Sequence, residues 1–155
     1  MMRWSAAFGG LLLFSCATTE AGWTRVDLVP FTMVMPDDLK EVPVKPIDSY
    51  VRHFECPTMT LGFDWGQWSD PLTSSDGPEI SREAVMVGGR NAVVVVSRSK
   101  ESPSRIEAAI HFPNPSNSPK PESDDAKLTI YMELNSESSI PIARKIFNSV
   151  RFKKD

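Results

Sequence analysis

Beyond Cys16, the side chains of this chain that could do chemistry are one thiol and two imidazoles. Cys56 follows His53 by three residues, and His111 lies in a later part of the sequence. A cysteine acts as a nucleophile when a histidine takes its proton and an acid such as Asp64 orients that histidine. The sequence therefore allows a small thiol or hydrolytic enzyme that uses Cys56 with His53 or His111, as an alternative to a protein that only binds a partner.

The residues around Cys56 do not favour an activated thiol. Cys56 precedes Pro57 in an extended segment and follows Glu55, whereas a reactive thiolate needs a positive setting or a helix N-terminus. His53 and Cys56 have the spacing of half a metal site, but zinc takes three or four ligands and the only other histidine in the sequence, His111, lies on a separate predicted strand. The sequence also lacks a phosphate-binding glycine loop, a Cys-x-x-Cys pair, a His-Glu-x-x-His helix and a Gly-x-Ser-x-Gly elbow. We therefore expect no catalytic, cofactor-binding or metal-binding residue, and an inert, buried Cys56.

Two tryptophans are the candidate partner-binding residues. Phe63 and Trp65 share the inward face of a predicted strand, whereas Trp68 follows Gly66 in a loop. An exposed Trp68 would offer a stacking surface to a ligand, a sugar or a protein. Tryptophan is well buried on average, so its residue type favours burial of Trp68. Trp65 and Trp68 thus remain candidates until the fold places them.

The first sixteen residues carry a different kind of signal. Arg3 precedes an apolar run at residues 6–14, and Ser15 and Cys16 follow it. The run is too short to span a bilayer, which takes about 20 apolar residues, but its length suits an export signal. With Leu13 three positions before the cysteine, the segment resembles the signal of bacterial lipoproteins.

This resemblance implies a signal peptide at residues 1–15, acyl chains such as palmitate on Cys16, and a lipidated tether at residues 16–22. Two or more chains would anchor the domain, because one chain binds a membrane only marginally. Ala17, in place of an aspartate, implies the outer membrane, with the domain facing the periplasm. The membrane is then the first partner, and an envelope protein is a candidate for the second. The alternative is ordinary secretion, with cleavage near residues 19–22 and loss of Cys16.

Composition indicates one ordinary globular domain at residues 23–155. Of the 155 residues, 41% are hydrophobic and 24% are charged, which is typical of a packed domain rather than a disordered chain. The net charge of −3 argues against a nucleic-acid partner, which needs a basic surface. With Cys16 as the lipid site, Cys56 has no partner for an intrachain disulfide.

Alternation of apolar and polar side chains predicts most of the strands. Val93 to Val96 is an unbroken β-branched run, which is typical of a central strand covered on both faces. Gly88-Gly89 predicts a hairpin turn just before it. The predicted strands are Phe31–Met35, Leu39–Val42, Met59–Trp65, Ala84–Val87, Asn91–Ser97, Arg105–Phe112 and Lys127–Leu134.

A terminal helix is predicted after the last strand, with Ser138 or Ser139 as its N-cap. Its apolar stripe predicts packing on the sheet and consists of Ile142, Ile146, Phe147 and Val150. A short helix is predicted near Asp76 to Glu83. Pro113 to Asp125 contains four prolines and predicts a projecting loop. The fold class is α+β: a single domain with a twisted, mostly antiparallel sheet and the helix packed on one face.

Three segments in this order resemble a known family. They are the strand Phe31-Thr32-Met33-Val34-Met35-Pro36, the hairpin Gly89-Arg90-Asn91-Ala92-Val93 and the closing helix and strand from Ile142 to Phe152. Over about residues 23–152 the chain resembles the PsbP and Mog1-like fold. The resemblance implies a non-catalytic accessory or binding protein, a group that includes bacterial lipoproteins, but it transfers no functional residue. We therefore expect a membrane-anchored envelope lipoprotein with a binding or accessory domain.

Overall fold

The computed structural model describes residues 22–45, 48–115 and 126–153. The predicted signal peptide, Cys16 and the tether as far as residue 21 lie outside the described residues. Residues 116–125 of the predicted loop also lie outside them. Within the described ranges, no helix has the length and apolar character needed to cross a bilayer.

The described residues form ten strands and one α-helix. A 3-10 turn at Glu137–Ser139 leads into the helix. The elements are β1 Trp23–Asp27, β2 Phe31–Pro36, β3 Lys40–Val42, β4 Tyr50–Cys56, β5 Met59–Gly66, β6 Glu79–Val87, β7 Arg90–Arg98, β8 Ile106–Phe112, β9 Lys127–Leu134, α1 Ile140–Asn148 and β10 Arg151–Phe152.

The strands form two sheets rather than one. The large sheet has seven strands in the order β3-β4-β5-β9-β8-β7-β6, and the small sheet has the order β1-β2-β10. Every strand pair in the described ranges is antiparallel. The predicted α+β class is confirmed, together with a C-terminal helix on one face.

One face of the large sheet forms the core, because apolar side chains alternate in register across its strands. Phe63, Ile130 and Ile110 follow one another across β5, β9 and β8, and all three are fully buried. Burial of each such side chain contributes about 1.5–3 kcal/mol. On β7 both Val94 and Val95 are buried although they point to opposite faces. The predicted strand with two covered faces is therefore confirmed.

Helix α1 and the small sheet cover this core face. Ala143, Ile146 and Phe147 are the buried residues of the helix. The backbone N–H of Val34 in β2 donates to Ser149 Oγ at 2.9 Å, which joins the end of the helix to the small sheet. Ser139 occupies the N-cap position of α1 but makes no capping bond with its side chain.

The predicted short helix at residues 76–83 is wrong. Residues from Glu79 onward belong to β6, which pairs with β7 and carries an irregularity between Glu79 and Ser81. Their residue types suit a helix, but pairing along the whole of β7 outweighs that local preference. Gly88 and Gly89 adopt positive φ values of 58° and 77°, so the predicted hairpin turn is confirmed.

Candidate functional site

The thiol and the nearer imidazole do not meet. Cys56 packs against the core, whereas His53 lies three residues earlier in β4 and therefore points to the opposite face. His53 Nε2 instead lies 3.2 Å from Glu55 Oε1 on its own face. Cys56 Sγ lies 3.4 Å from the Thr58 hydroxyl. The thiol is therefore half-buried, whereas full burial is expected from the sequence.

His111 is also too far away to act on Cys56. It belongs to β8, and the register runs from His111 through Thr129 and Asp64 to Val51 of β4. Three strand spacings and five residues along β4 separate the two side chains, which amounts to roughly 20 Å. In the part of the chain that the structure describes, no three His, Cys, Asp or Glu side chains are placed to hold a metal ion.

The face of the large sheet opposite the core, here called the outer face, is crossed by residues 67–78, here called the crossing segment. Three strands hold this segment by hydrogen bonds. The Ser69 hydroxyl donates to the carbonyl of Asp64 in β5 at 2.5 Å. The Thr129 hydroxyl of β9 donates to the Asp70 carbonyl at 2.7 Å, and Arg82 Nη1 of β6 donates to the Leu72 carbonyl at 2.6 Å. The segment is thus fixed at three strands, from β5 to the edge strand β6.

Leu72 shows how tightly the crossing segment is held. Its φ of 54° lies in the left-handed region, which costs a leucine about 1–2 kcal/mol. Its side chain is buried, and its N–H donates to Asp70 Oδ1 at 2.8 Å. The burial and the hydrogen bonds together hold this strained conformation.

His111 lies beneath the crossing segment. It is almost fully buried, and its Nδ1 lies 2.8 Å from the Thr129 hydroxyl oxygen. Burial lowers the pKa of His111 below its ordinary value, and the positive charge of Lys127 lowers this pKa further, whereas Asp70 opposes both effects. The imidazole is therefore a neutral part of the structure that supports the segment.

The crossing segment presents Trp68 to solvent. The side chain of Trp68 is 78% exposed, although Ser69 beside it is only 2% exposed. The prediction from residue type that Trp68 is buried is therefore wrong. The buried hydroxyl of Ser69 turns the chain so that Trp68 points outward. Trp65 is half-buried in the core, and its ring stacks on that of Phe31 with 6.4 Å between centroids. Of the two candidate partner-binding residues, Trp68 is the one left open.

A cavity of about 330 Å³ lies between the crossing segment and the outer face. Its lining includes no lysine or arginine but includes four carboxylates, those of Asp70, Asp76, Glu107 and Glu133. Glu107 lies directly opposite Glu133 across β8 and β9. Among the described residues, Glu133 of this pair is the one with an ion-pair partner, Arg105, at 3.3 Å. These acids come from separate parts of the sequence, so no local motif could have revealed the cavity.

Tyr131 forms the aromatic part of the cavity lining. Its ring lies across Gly62, its partner in β5, where a Cβ atom would overlap the ring. Burial raises the pKa of Tyr131, and the negative charge of Asp64 raises it further. The described lining of the cavity is thus rich in carboxylates and has one aromatic ring, and it includes neither a cysteine nor a histidine.

No protein-family model and no curated protein sequence matches this chain. Among solved structures, it is similar to the solution structure of the cyanobacterial PsbP protein, CyanoP, from Synechocystis sp. PCC 6803, with a TM-score of 0.55. The match covers 91% of this chain and 99% of that chain at 14% sequence identity. A likeness at this identity concerns the fold. The chain therefore has a PsbP-like fold, as its three sequence segments predict.

Proposed function

We propose that this chain is a non-catalytic lipoprotein of the bacterial envelope, anchored by acyl chains on Cys16, whose domain binds a partner protein through Trp68. The observation that carries the proposal is the 78% exposure of Trp68 on a segment fixed at three points. A rigid, exposed tryptophan loses little conformational entropy on binding, and tryptophan is among the residues that most often dominate an interface.

The anchoring part of the proposal is supported by the sequence before the domain. The apolar run, Leu13, Ser15 and Cys16 resemble a lipoprotein signal, and Ala17 favours the outer membrane with the domain facing the periplasm. Trp23 is the first residue of β1, so residues 17–22 form a short connection between lipid and domain. Two or more acyl chains give the stable attachment that one chain does not.

The binding part is supported by the arrangement of the reactive side chains and by the fold. Cys56, His53 and His111 are held apart, so the geometry does not assemble the thiol enzyme that their residue types allow. The resemblance to the PsbP and Mog1-like fold implies an accessory role. Such a role fits a domain that exposes an aromatic side chain, that of Trp68.

Metabolic labelling with a fatty-acid analogue tests the anchoring. We expect label and membrane association for the full-length wild type and for Cys56→Ser, and loss of both for Cys16→Ser. Cys56→Ser is the matched control, because it removes the other thiol of the chain. An unlabelled wild type with a mature N-terminus near residues 19–22 would contradict the anchoring and would indicate secretion.

A further inference from the structure

The cavity under the crossing segment has the size of a ligand site. Its volume of about 330 Å³ lies in the range of roughly 300–1,000 Å³ that is common for such sites. It lies toward the β7–β8 connection, away from the ends of β8 and β9 that residues 113–126 join. Hydrogen bonds to β5, β6 and β9 hold the crossing segment above the cavity, so its described walls are preformed.

The floor of the cavity consists of two rows of cross-strand partners on β7, β8 and β9. The polar row is formed by Ser97, Glu107 and Glu133. The apolar row lies two residues away along each strand and is formed by Val95, Ala109 and Tyr131. The floor therefore has a charged half and a half that suits a hydrocarbon chain.

The crossing segment adds a carboxylate near each end of this floor. Asp70 lies beyond the apolar row, because its backbone carbonyl accepts the hydrogen bond from Thr129 of β9. Asp76 lies at the polar row, because it also lines a neighbouring hollow together with Glu107 and Glu133. Carboxylates thus stand at both ends of the cavity, with apolar side chains between them.

Three of these carboxylates form no ion pair within the described ranges, namely Asp70, Asp76 and Glu107. Glu133 is paired with Arg105 at 3.3 Å. Lys100 lines the neighbouring hollow, and the charge of Lys127 acts on His111 under the crossing segment, but neither lysine is ion-paired with a carboxylate of the cavity. A bound cation would therefore meet negative charges that are not already neutralised by an ion pair.

Ser97 is a second and independent sign of a ligand. Its side chain lines the cavity and is only 3% exposed, and its hydroxyl makes no hydrogen bond with another described residue. Most buried polar side chains are hydrogen-bonded, so an unpaired hydroxyl in the wall of a cavity indicates a polar ligand. Glu107 is the cross-strand partner of Ser97. An ammonium group placed between them would donate to both side chains.

The arrangement of the acids suits a long organic cation better than a metal ion. Among the described residues, no three acidic, histidine or cysteine side chains surround one point. The row of Glu133 and the position of Thr129, below Asp70, are four residues apart on β9, or about 13 Å. An extended aliphatic triamine such as spermidine measures about 11 Å between its terminal nitrogens. The ring of Tyr131 lies between the two ends and attracts cations through its π face.

We infer that this cavity binds a linear aliphatic polyamine. One terminal ammonium lies among Ser97, Asp76 and Glu107, and the other lies at Asp70. The hydrocarbon chain between them covers the apolar row. This inference goes beyond the proposed function and does not depend on it, because neither Cys16 nor Trp68 belongs to the described lining.

Isothermal titration calorimetry with spermidine tests the inference on the full-length chain, purified in detergent at about 0.1 M salt. We expect one spermidine to bind per chain. Glu107→Gln and Asp76→Asn should each raise the dissociation constant at least about tenfold, because each removes a charged hydrogen-bond acceptor. Asp38→Asn is the matched control, since it removes one carboxylate from the exposed turn after β2, and it should change the dissociation constant less than about twofold. Butylamine, which has a single ammonium group, should bind at least about a hundredfold more weakly than spermidine.

Three results would overturn the inference. Absence of binding at millimolar spermidine would show that the cavity is not a polyamine site. Equal weakening by Glu107→Gln and Asp38→Asn, or weakening by neither, would show general attraction of a cation to an acidic chain. Equal affinity for butylamine and spermidine would show that the two ends of the cavity do not act together. Urea unfolding of each variant confirms that it is folded, so a loss of binding in Glu107→Gln reports on the cavity.

Discussion

His111 and Thr129 are cross-strand partners on β8 and β9, and their side chains are joined by a 2.8 Å hydrogen bond under the crossing segment. The Thr129 hydroxyl uses its one hydrogen on the Asp70 carbonyl, so the imidazole must donate from Nδ1. A neutral His111 with its hydrogen on Nδ1 therefore supports the segment that presents Trp68.

The free energy of unfolding should depend on pH through His111. Burial lowers the pKa of His111 below its ordinary value of 6.5, and Lys127 lowers it further against the opposing effect of Asp70. The unfolded chain then takes up a proton at a higher pH than the folded chain. The contribution of His111 to the free energy of unfolding is therefore fully present above about pH 6.5. It is lost as the pH falls toward the pKa of the folded state, by at most about 1.4 kcal/mol per pH unit.

Urea unfolding of the wild type and of His111→Gln at about pH 7.5 and pH 5.5 measures this contribution. We expect the wild type to lose more stability than the variant between the two pH values. Equal losses would show that His111 does not contribute. The two proteins differ only at residue 111, so the comparison isolates the contribution of that side chain.

Thr129→Val should loosen the crossing segment. The change keeps the shape of the side chain but leaves His111 Nδ1–H without its acceptor and the Asp70 carbonyl without this donor, which costs about 1–3 kcal/mol. The Leu72 amide, which donates to Asp70 Oδ1, should exchange its hydrogen faster. Thr60→Val on the same face of β5 is the control and should change stability by less than about 0.5 kcal/mol. If the Leu72 amide exchanges its hydrogen at the same rate in Thr129→Val as in the wild type, Thr129 does not hold the crossing segment in place.

The two tryptophans should separate stability from binding. Trp68→Ala should change the free energy of unfolding by less than about 0.5 kcal/mol, because the side chain is 78% exposed. Trp65→Ala should lower it by about 2–4 kcal/mol, because the ring packs against the core and stacks on Phe31. Urea unfolding checks both values. A large loss of stability in Trp68→Ala would mean that this side chain is structural, and its use as a binding anchor would then need another explanation.

Glu107→Gln should stabilise the domain. Glu107 and Glu133 are like charges directly opposite each other on neighbouring strands, an arrangement that costs about 0.2–1 kcal/mol. Removing one charge should recover that amount and should leave the ion pair of Glu133 with Arg105 in place. In about 1 M salt the gain should shrink, because salt screens exposed charges. Glu101→Gln in the loop after β7 is the control for a general change of net charge. No gain at low salt would show that Arg105 already neutralises the pair.

Strands whose side chains alternate between a core face and an outer face could be predicted from the sequence. Lys127–Leu134 matches β9 residue for residue, because every second side chain enters the core. β1 carries no such pattern and was not predicted. Its residues are mostly exposed, and it is held chiefly by pairing with β2. The prediction of a short helix near Asp76 to Glu83 is wrong for a related reason. The residue types of this segment reflect local preference and do not show that β7 pairs with it.

The sequence by itself determined the α+β class, the positions of most strands along the chain and the amphipathic terminal helix. It also determined a segment before the domain that resembles a lipoprotein signal. These features depend on the spacing of residues that are close in the chain. Only the tertiary structure decided that Cys56 stands apart from both histidines, that Trp68 is exposed, and that four carboxylates line one cavity. Each of these depends on which strands become neighbours and on the path of the crossing segment. Both are set by hydrogen bonds and burial between residues far apart in the sequence.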